Sequence, residues 1–189
     1  MPDPRPLPLF AWTQERRERL ARRRLLRRRT AVTGLGIAAL IGTLFAPPSP
    51  RLVWNASASA PLGLYRVWPG VMPRRGEMAV AWLPAGARDL AARRRYLPSD
   101  VPLVKHVVGM PGDEICAFGR AIMLNGRMIA LRLDHDRAGR VLTGWQGCLR
   151  LGAQDYFLLN TPPESYDGRY FGISGRQDII GKAVLLWAR

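Results

Sequence analysis

Val101-Pro-Leu-Val-Lys-His-Val-Val-Gly-Met-Pro-Gly-Asp113 is the stretch on which the reading of this chain turns. Val, Leu and His around the lysine describe a β run, and Gly109-Met-Pro-Gly-Asp113 ends it in a turn. One lysine inside an apolar strand has two readings. At a sheet edge its amine reaches water and does nothing special. Buried, it is penalised in the charged form, its pKa falls, and the neutral amine can serve as a general base.

Outward from this run, the chain from Arg51 is a series of short segments rich in Val, Leu and aromatics, broken by Gly and Pro. Predicted strands are Gly63–Trp68, Met78–Trp82, Leu103–Gly109, Glu114–Phe118, Ala121–Leu124, Met128–Ala130, Tyr156–Asn160 and Gly181–Ala188. Asn125-Gly126 between two of them marks a tight hairpin. Arg88–Arg95 is the one helix-like stretch of this body. The fold class is therefore mainly β, a compact rolled sheet or barrel, with no internal repeat.

The N-terminal fifth differs. Pro2, Pro4, Pro6 and Pro8 predict an irregular tail over residues 1–14. The first 29 residues hold ten arginines and three acids, nearly half of the chain's net charge of +15. Residues 30–46 are uncharged and apolar and end at Pro47 and Pro48. That length, about 25 Å as helix, is the short end of a membrane span. The reading is a basic cytoplasmic arm (1–29), a transmembrane signal anchor (30–46) and an extracytoplasmic domain (51–189). The arginines put the N-terminus inside. A cleaved export signal is the competing reading, because small residues at Ala56–Ala60 follow the apolar run. Anionic lipid accounts for the arginine arm, so no nucleic acid is expected as a partner.

Much chemistry is missing. His106 and His135 are the only histidines, there is no zinc-ligand spacing and no phosphate-binding glycine loop. Cys116 and Cys148 are either one disulfide or two packed thiols. Two further stretches carry polar groups. Asn55-Ala-Ser-Ala-Ser-Ala-Pro-Leu-Gly-Leu-Tyr65 has small residues that leave a serine hydroxyl open to a substrate backbone. Ser165-Tyr-Asp-Gly-Arg-Tyr-Phe-Gly172 can pair Asp167 with Arg169 at a turn. Each alone reads as a linker or a polar turn.

Taken together and in this order, the three stretches resemble the type I signal peptidase family, from Asn55 to about Gly181. The lysine block is the most specific piece. The resemblance implies Ser59 as nucleophile, Lys105 as general base and Ser57 as an oxyanion-hole donor. It implies Ser165 as the group orienting the lysine, and Asp167 with Arg169 as a supporting ion pair. Ser57 stays open as an alternative nucleophile, because the usual Ser-Met-x-Pro spacing is replaced by Ser59-Ala-Pro61. The Asn-x-Ser-x-Ser-x-Pro-x-Gly-x-Tyr pattern, the Tyr96-Leu-Pro98 before the lysine block and the short body resemble the TraF-type peptidases of conjugative transfer. That likeness implies cleavage of an exported precursor such as pilin at the periplasmic face of the inner membrane, possible cyclisation, and no cofactor. A general signal peptidase and a non-catalytic transfer component are the alternatives.

Overall fold

The computed structural model describes residues 8–45 and 49–189, which form two compact units divided after Pro48. The first unit is one helix, α1 (Pro8–Phe45). Residues 8–14 thus depart from the expected irregular tail, while residues 1–7 lie outside the described residues. Pro8 opens the helix where its missing N–H costs nothing, and good helix formers follow from Gln14. The arginine segment and the uncharged segment run on as one helix, as expected. Among the described residues, however, no helix is long and apolar enough to cross a membrane. The described uncharged stretch covers residues 30–45, about 24 Å at helical rise. A bilayer core is about 30 Å thick, and three arginines immediately precede that stretch. The expected spanning helix is corrected accordingly; Ala46, Pro47 and Pro48 lie outside the described residues.

The second unit is mainly β, as the alternating pattern predicts. A seven-stranded antiparallel sheet runs in the order β1 (Leu52–Asn55), β2 (Gly63–Pro69), β11 (Ile179–Ala188), β3 (Met78–Ala81), β4 (Leu103–Gly109), β9 (Asp155–Leu159), β10 (Ser174–Gly175). A second sheet runs β7 (Arg127–Leu131), β6 (Ala121–Leu124), β5 (Glu114–Phe118), β8 (Gly147–Arg150). The larger sheet stays open, with β1 and β10 at its edges, so it is not a closed barrel. Short helices α2 (Ala85–Arg93) and α3 (Gly168–Phe171) lie in the connections.

Strand β4 is central, paired to β3 on one side and β9 on the other. Its neighbours on β3 are small: Lys105 pairs with Ala79 and Val104 with Val80. Apolar clusters form around both sets of alternating residues. Leu103 and Val107 pack with Ala79, Ala81, Leu158 and Ile179, and Val104 packs with Tyr65, Val67, Val80 and Ala183. On the face that Lys105 shares with Leu103 and Val107, all three side chains are buried, whereas His106 on the other face is half-buried. That decides between the two readings of Lys105.

The turn after β4 links the two sheets. Asp113 accepts the N–H of Met110 at 2.7 Å, Arg75 at 2.7 Å and the Asn125 amide at 2.9 Å. It thereby ties the turn to the Asn125-Gly126 hairpin, whose two residues take the positive φ such a turn needs (49° and 79°). Cys116 on β5 faces Cys148 on β8, and the two are disulfide-bonded.

Candidate active site

Lys105 is 3% exposed. Its Nζ lies 2.6 Å from Ser165 Oγ and 3.2 Å from Ser59 Oγ, so the lysine bridges the first and third stretches of the sequence. Burial holds its pKa down to about 8 from an ordinary 10.5. Desolvation is the largest cause; Asp167 pulls the pKa back up and, more weakly, Arg169 pushes it down.

Ser59 sits in a loop between β1 and β2 that has no repeating backbone bonds, and two side chains replace them. Asn55 Nδ2 donates to the carbonyls of Ser57 (2.9 Å), Ala60 (3.1 Å) and Pro61 (3.0 Å), while its Oδ1 accepts the Ser57 N–H at 3.2 Å. The Tyr65 hydroxyl donates to Pro61 O at 2.8 Å. Gly63, at φ 149°, lets the chain leave the loop hard against β11: a Cβ there would fall 2.0 Å from the Trp187 carbonyl oxygen. These contacts supply a physical reason for Asn, Pro, Gly and Tyr at their spacing. Inside the loop, Ser57 Oγ is 3.1 Å from Ser59 Oγ and accepts the Ser59 N–H at 3.4 Å. Ser59 is half-buried and Ser57 is exposed.

Asn55 was not among the residues expected to matter, although it stands in the quoted pattern. Asn55→Ala leaves up to three carbonyls and an N–H of this loop without their partner. We expect a loss of about 1–3 kcal/mol in stability, which chemical denaturation measures; a variant as stable as wild type would rule out the bracing role.

The third stretch closes the back of the site. Asp167 and Arg169 are both fully buried and pair through two bonds, Nε to Oδ1 at 2.8 Å and Nη2 to Oδ2 at 3.1 Å. Asp167 also accepts the backbone N–H of Asn160 (3.1 Å) and of Arg169 (3.2 Å). Arg169 bonds the carbonyls of Leu131, Asn160 and Pro163. Next to Ser165, the Tyr166 ring packs against Tyr96, with centroids 5.1 Å apart, and stacks on Tyr170. The Tyr-Leu-Pro stretch before the lysine block therefore buttresses the segment that holds Ser165.

The histidines lie outside this arrangement. His106 follows Lys105, and Asn160 Oδ1 accepts both its backbone N–H and its Nδ1, each at 3.1 Å. His135 is exposed in a loop and makes only a backbone bridge to Val141. Among the described residues, the one cluster with metal-ligand atoms is Glu114 with Cys116 and Cys148. Sulfurs bridged to each other do not serve as thiolate ligands. Ser59, Ser57, Lys105 and Ser165 thus form one connected set, with Asp167 and Arg169 behind it. Chemically, it joins a half-exposed hydroxyl, an amine of lowered pKa, and a hydroxyl and N–H beside the hydroxyl that can meet an oxyanion.

Residues 23–188 match the signal peptidase family, peptidase S26. The plasmid transfer protein TraF of Escherichia coli is 30% identical over 147 residues, covering 70% of this chain and 82% of that protein. Signal peptidase I of Leptolyngbya laminosa is 27% identical over 115 residues; the match spans about half the length of that enzyme (52%) and 60% of this chain. A solved signal peptidase I from Enterococcus faecalis aligns over 58% of this chain and 95% of its own at 18% identity, with a TM-score of 0.35.

Proposed function

The chain belongs to the peptidase S26 family of signal peptidases, and from that premise we propose that it is a Ser/Lys endopeptidase maturing an exported precursor of a conjugative transfer system. The observation that carries the proposal is the contact of a buried lysine amine with Ser59 Oγ on one side and Ser165 Oγ on the other. A lysine with a pKa near 8 is a better base at neutral pH than an ordinary one. Neutral Lys105 accepts the Ser59 hydroxyl proton as Oγ attacks the scissile carbonyl. The Ser57 hydroxyl and the Ser59 N–H, now released from one another, donate to the oxyanion; one such donor is worth roughly 10²–10³ in rate. The lysine ammonium then protonates the leaving amine. Water, or an amine of the substrate where the product is cyclised, releases the acyl-enzyme. Ser165 holds Nζ in line, and the Asp167–Arg169 pair fixes the segment that carries Ser165. The reaction as written needs no cofactor.

The resemblance to TraF extends over most of that protein, and to a general signal peptidase over half. This favours a transfer-system precursor, pilin being the natural candidate, over broad housekeeping substrates. The joining of Ser59 to Lys105 speaks against a purely scaffolding component. We place the β domain at the periplasmic face of the membrane, with the arginine-rich half of α1 against anionic lipid.

The pH dependence tests the base. Below about 8 the neutral fraction of Lys105 falls tenfold per pH unit, so kcat/KM for precursor cleavage should rise tenfold per unit from pH 6 and level off near 8. A profile already flat between pH 6 and 7.5 would exclude Lys105 as the base.

A further inference from the structure

A second groove adjoins the one that holds the serine. The groove around Ser59, about 580 Å³, is lined by the 58–62 loop, His106, Thr161 and the chain end at Ala188 and Arg189. The other, about 560 Å³, is walled by Met128, Ile129 and Leu131 of β7 and by Val108 and Leu159, and it shares His106 and Thr161 with the first. The two therefore meet at His106. Such volumes are in the range of ligand clefts.

Three observations bear on what fills the second groove. First, β7 is an edge strand, paired to β6 alone and capped only at its end, where Arg169 bonds the Leu131 carbonyl, and it leaves Met128 and Leu131 58% and 50% exposed. An unpaired edge with apolar side chains is a template for an added strand. Second, the chemistry at Ser59 gives a direction. The oxyanion donors belong to the 55–61 loop, so the acyl half of a substrate lies along that loop. The leaving nitrogen must face Lys105 Nζ, which is held by Ser165; the adjoining 159–163 segment lines both grooves and gives the leaving half a path from the first into the second. Third, His106 is fixed at the junction. Asn160 Nδ2 donates to Val104 O at 3.0 Å, which orients the amide so that Oδ1 takes the His106 Nδ1–H. Nε2 is then the ring atom free to meet a passing chain.

We propose that this groove binds the leaving half of the substrate as an extended apolar segment, added as a strand to the free edge of β7, with His106 contacting its backbone beside the scissile bond. The proposal rests on the peptidase reading above. It makes the residues after the cut, and not only those before it, a source of selectivity.

The test uses the full chain in detergent and synthetic peptides sharing the acyl half Leu-Ala-Ala-Ala. After the scissile bond they carry one, three or six residues of Ala-Ile-Val-Leu-Ala-Val. The expected result is a rise of at least tenfold in kcat/KM from one to six residues, lost in Met128→Asp. Aspartate at the second to fourth positions of the six should erase the same advantage. In parallel, a fluorescein-labelled Ala-Ile-Val-Leu-Ala-Val peptide should bind Ser59→Ala protein at least tenfold more tightly than it binds Ser59→Ala/Met128→Asp. Cleavage independent of leaving-half length, or binding indifferent to Met128→Asp, would overturn the groove. Binding that obeys the prediction with no Ser59-dependent cleavage would uphold the groove and sink the peptidase reading instead.

Discussion

Lys105→Met is expected to lower precursor cleavage by about two to four orders of magnitude, the range for a positioned general base, in a protein that is more stable than wild type. The second half of this expectation follows from the first. Holding the lysine near 8 instead of 10.5 means that below pH 8 the folded state keeps an ammonium its surroundings solvate poorly, at a cost of about 3 kcal/mol. The unfolded state binds the proton more readily than the native state, so wild-type stability should rise with pH between about 8 and 10.5. Methionine has similar length and no charge. It recovers the desolvation cost but leaves Ser165 Oγ without its 2.6 Å partner, which returns about 1 kcal/mol. The net gain at pH 7 is about 2 kcal/mol, or roughly 5–10 °C in Tm. It should shrink as pH approaches 10. Calorimetry and urea titration at pH 7 and pH 10 check it. A variant less stable than wild type at both pH values would mean that the amine is better solvated than its burial implies. Ser59→Ala should lose cleavage to a similar degree without the stability gain, because Ser59 is only half-buried.

Arg169→Met is the substitution expected to harm the fold most. It leaves Asp167, with no solvent exposure at all, facing a hydrocarbon side chain. It also strips the guanidinium bonds from the Leu131, Asn160 and Pro163 carbonyls. Breaking a buried pair from one side costs about 3–5 kcal/mol. Arg169→Lys should recover little, since an ammonium cannot reproduce the two-pronged bond to Asp167 and three carbonyl contacts. Asp167→Leu combined with Arg169→Met should recover more than either change alone, because no charge is then stranded. The catalytic readout separates this from simple loosening. Arg169 lowers the Lys105 pKa and Asp167 raises it, so removing the arginine alone should push the rise of the pH–rate profile upward from about 8. A profile that keeps its midpoint while only the amplitude drops would assign Arg169 a structural role alone.

Much of the β unit can be read from the sequence because most of its strands are both apolar and alternating. Leu103–Gly109, Glu114–Phe118 and Ala121–Leu124 occur at the expected bounds. The strands that escaped are β1, β8 and β10, and each has a physical reason. β8 has all four residues exposed, β1 is half solvent-facing at an edge, and β10 is two residues long, so none carries a periodic signal. Whether Lys105 was buried could not be read locally. It depends on β3 and β9 flanking β4, which is a matter of strand order. Asn55 and Asn160 likewise look like ordinary turn residues in sequence, and only their several hydrogen bonds show what they hold in place. The helix over residues 8–14 was hidden by counting every proline as a breaker, when the first position of a helix accepts one.

The Cys116–Cys148 bridge has a consequence for when and where the molecule is finished. The two cysteines are 32 residues apart and become neighbours only once β5 and β8 have paired. Oxidation therefore traps a step already taken by the backbone. β8 is exposed along its whole length and contributes little attraction of its own, so a chain kept under reducing conditions would still assemble the large sheet with Ser59 and Lys105, and β5 and β6 packed on it, but hold β8 loosely. Closing a loop of that length is worth about 3–4 kcal/mol. Supply of an oxidant therefore acts on the β8 edge of the small sheet, opposite the β7 edge that borders the second groove, and not on the assembly of the reactive groups.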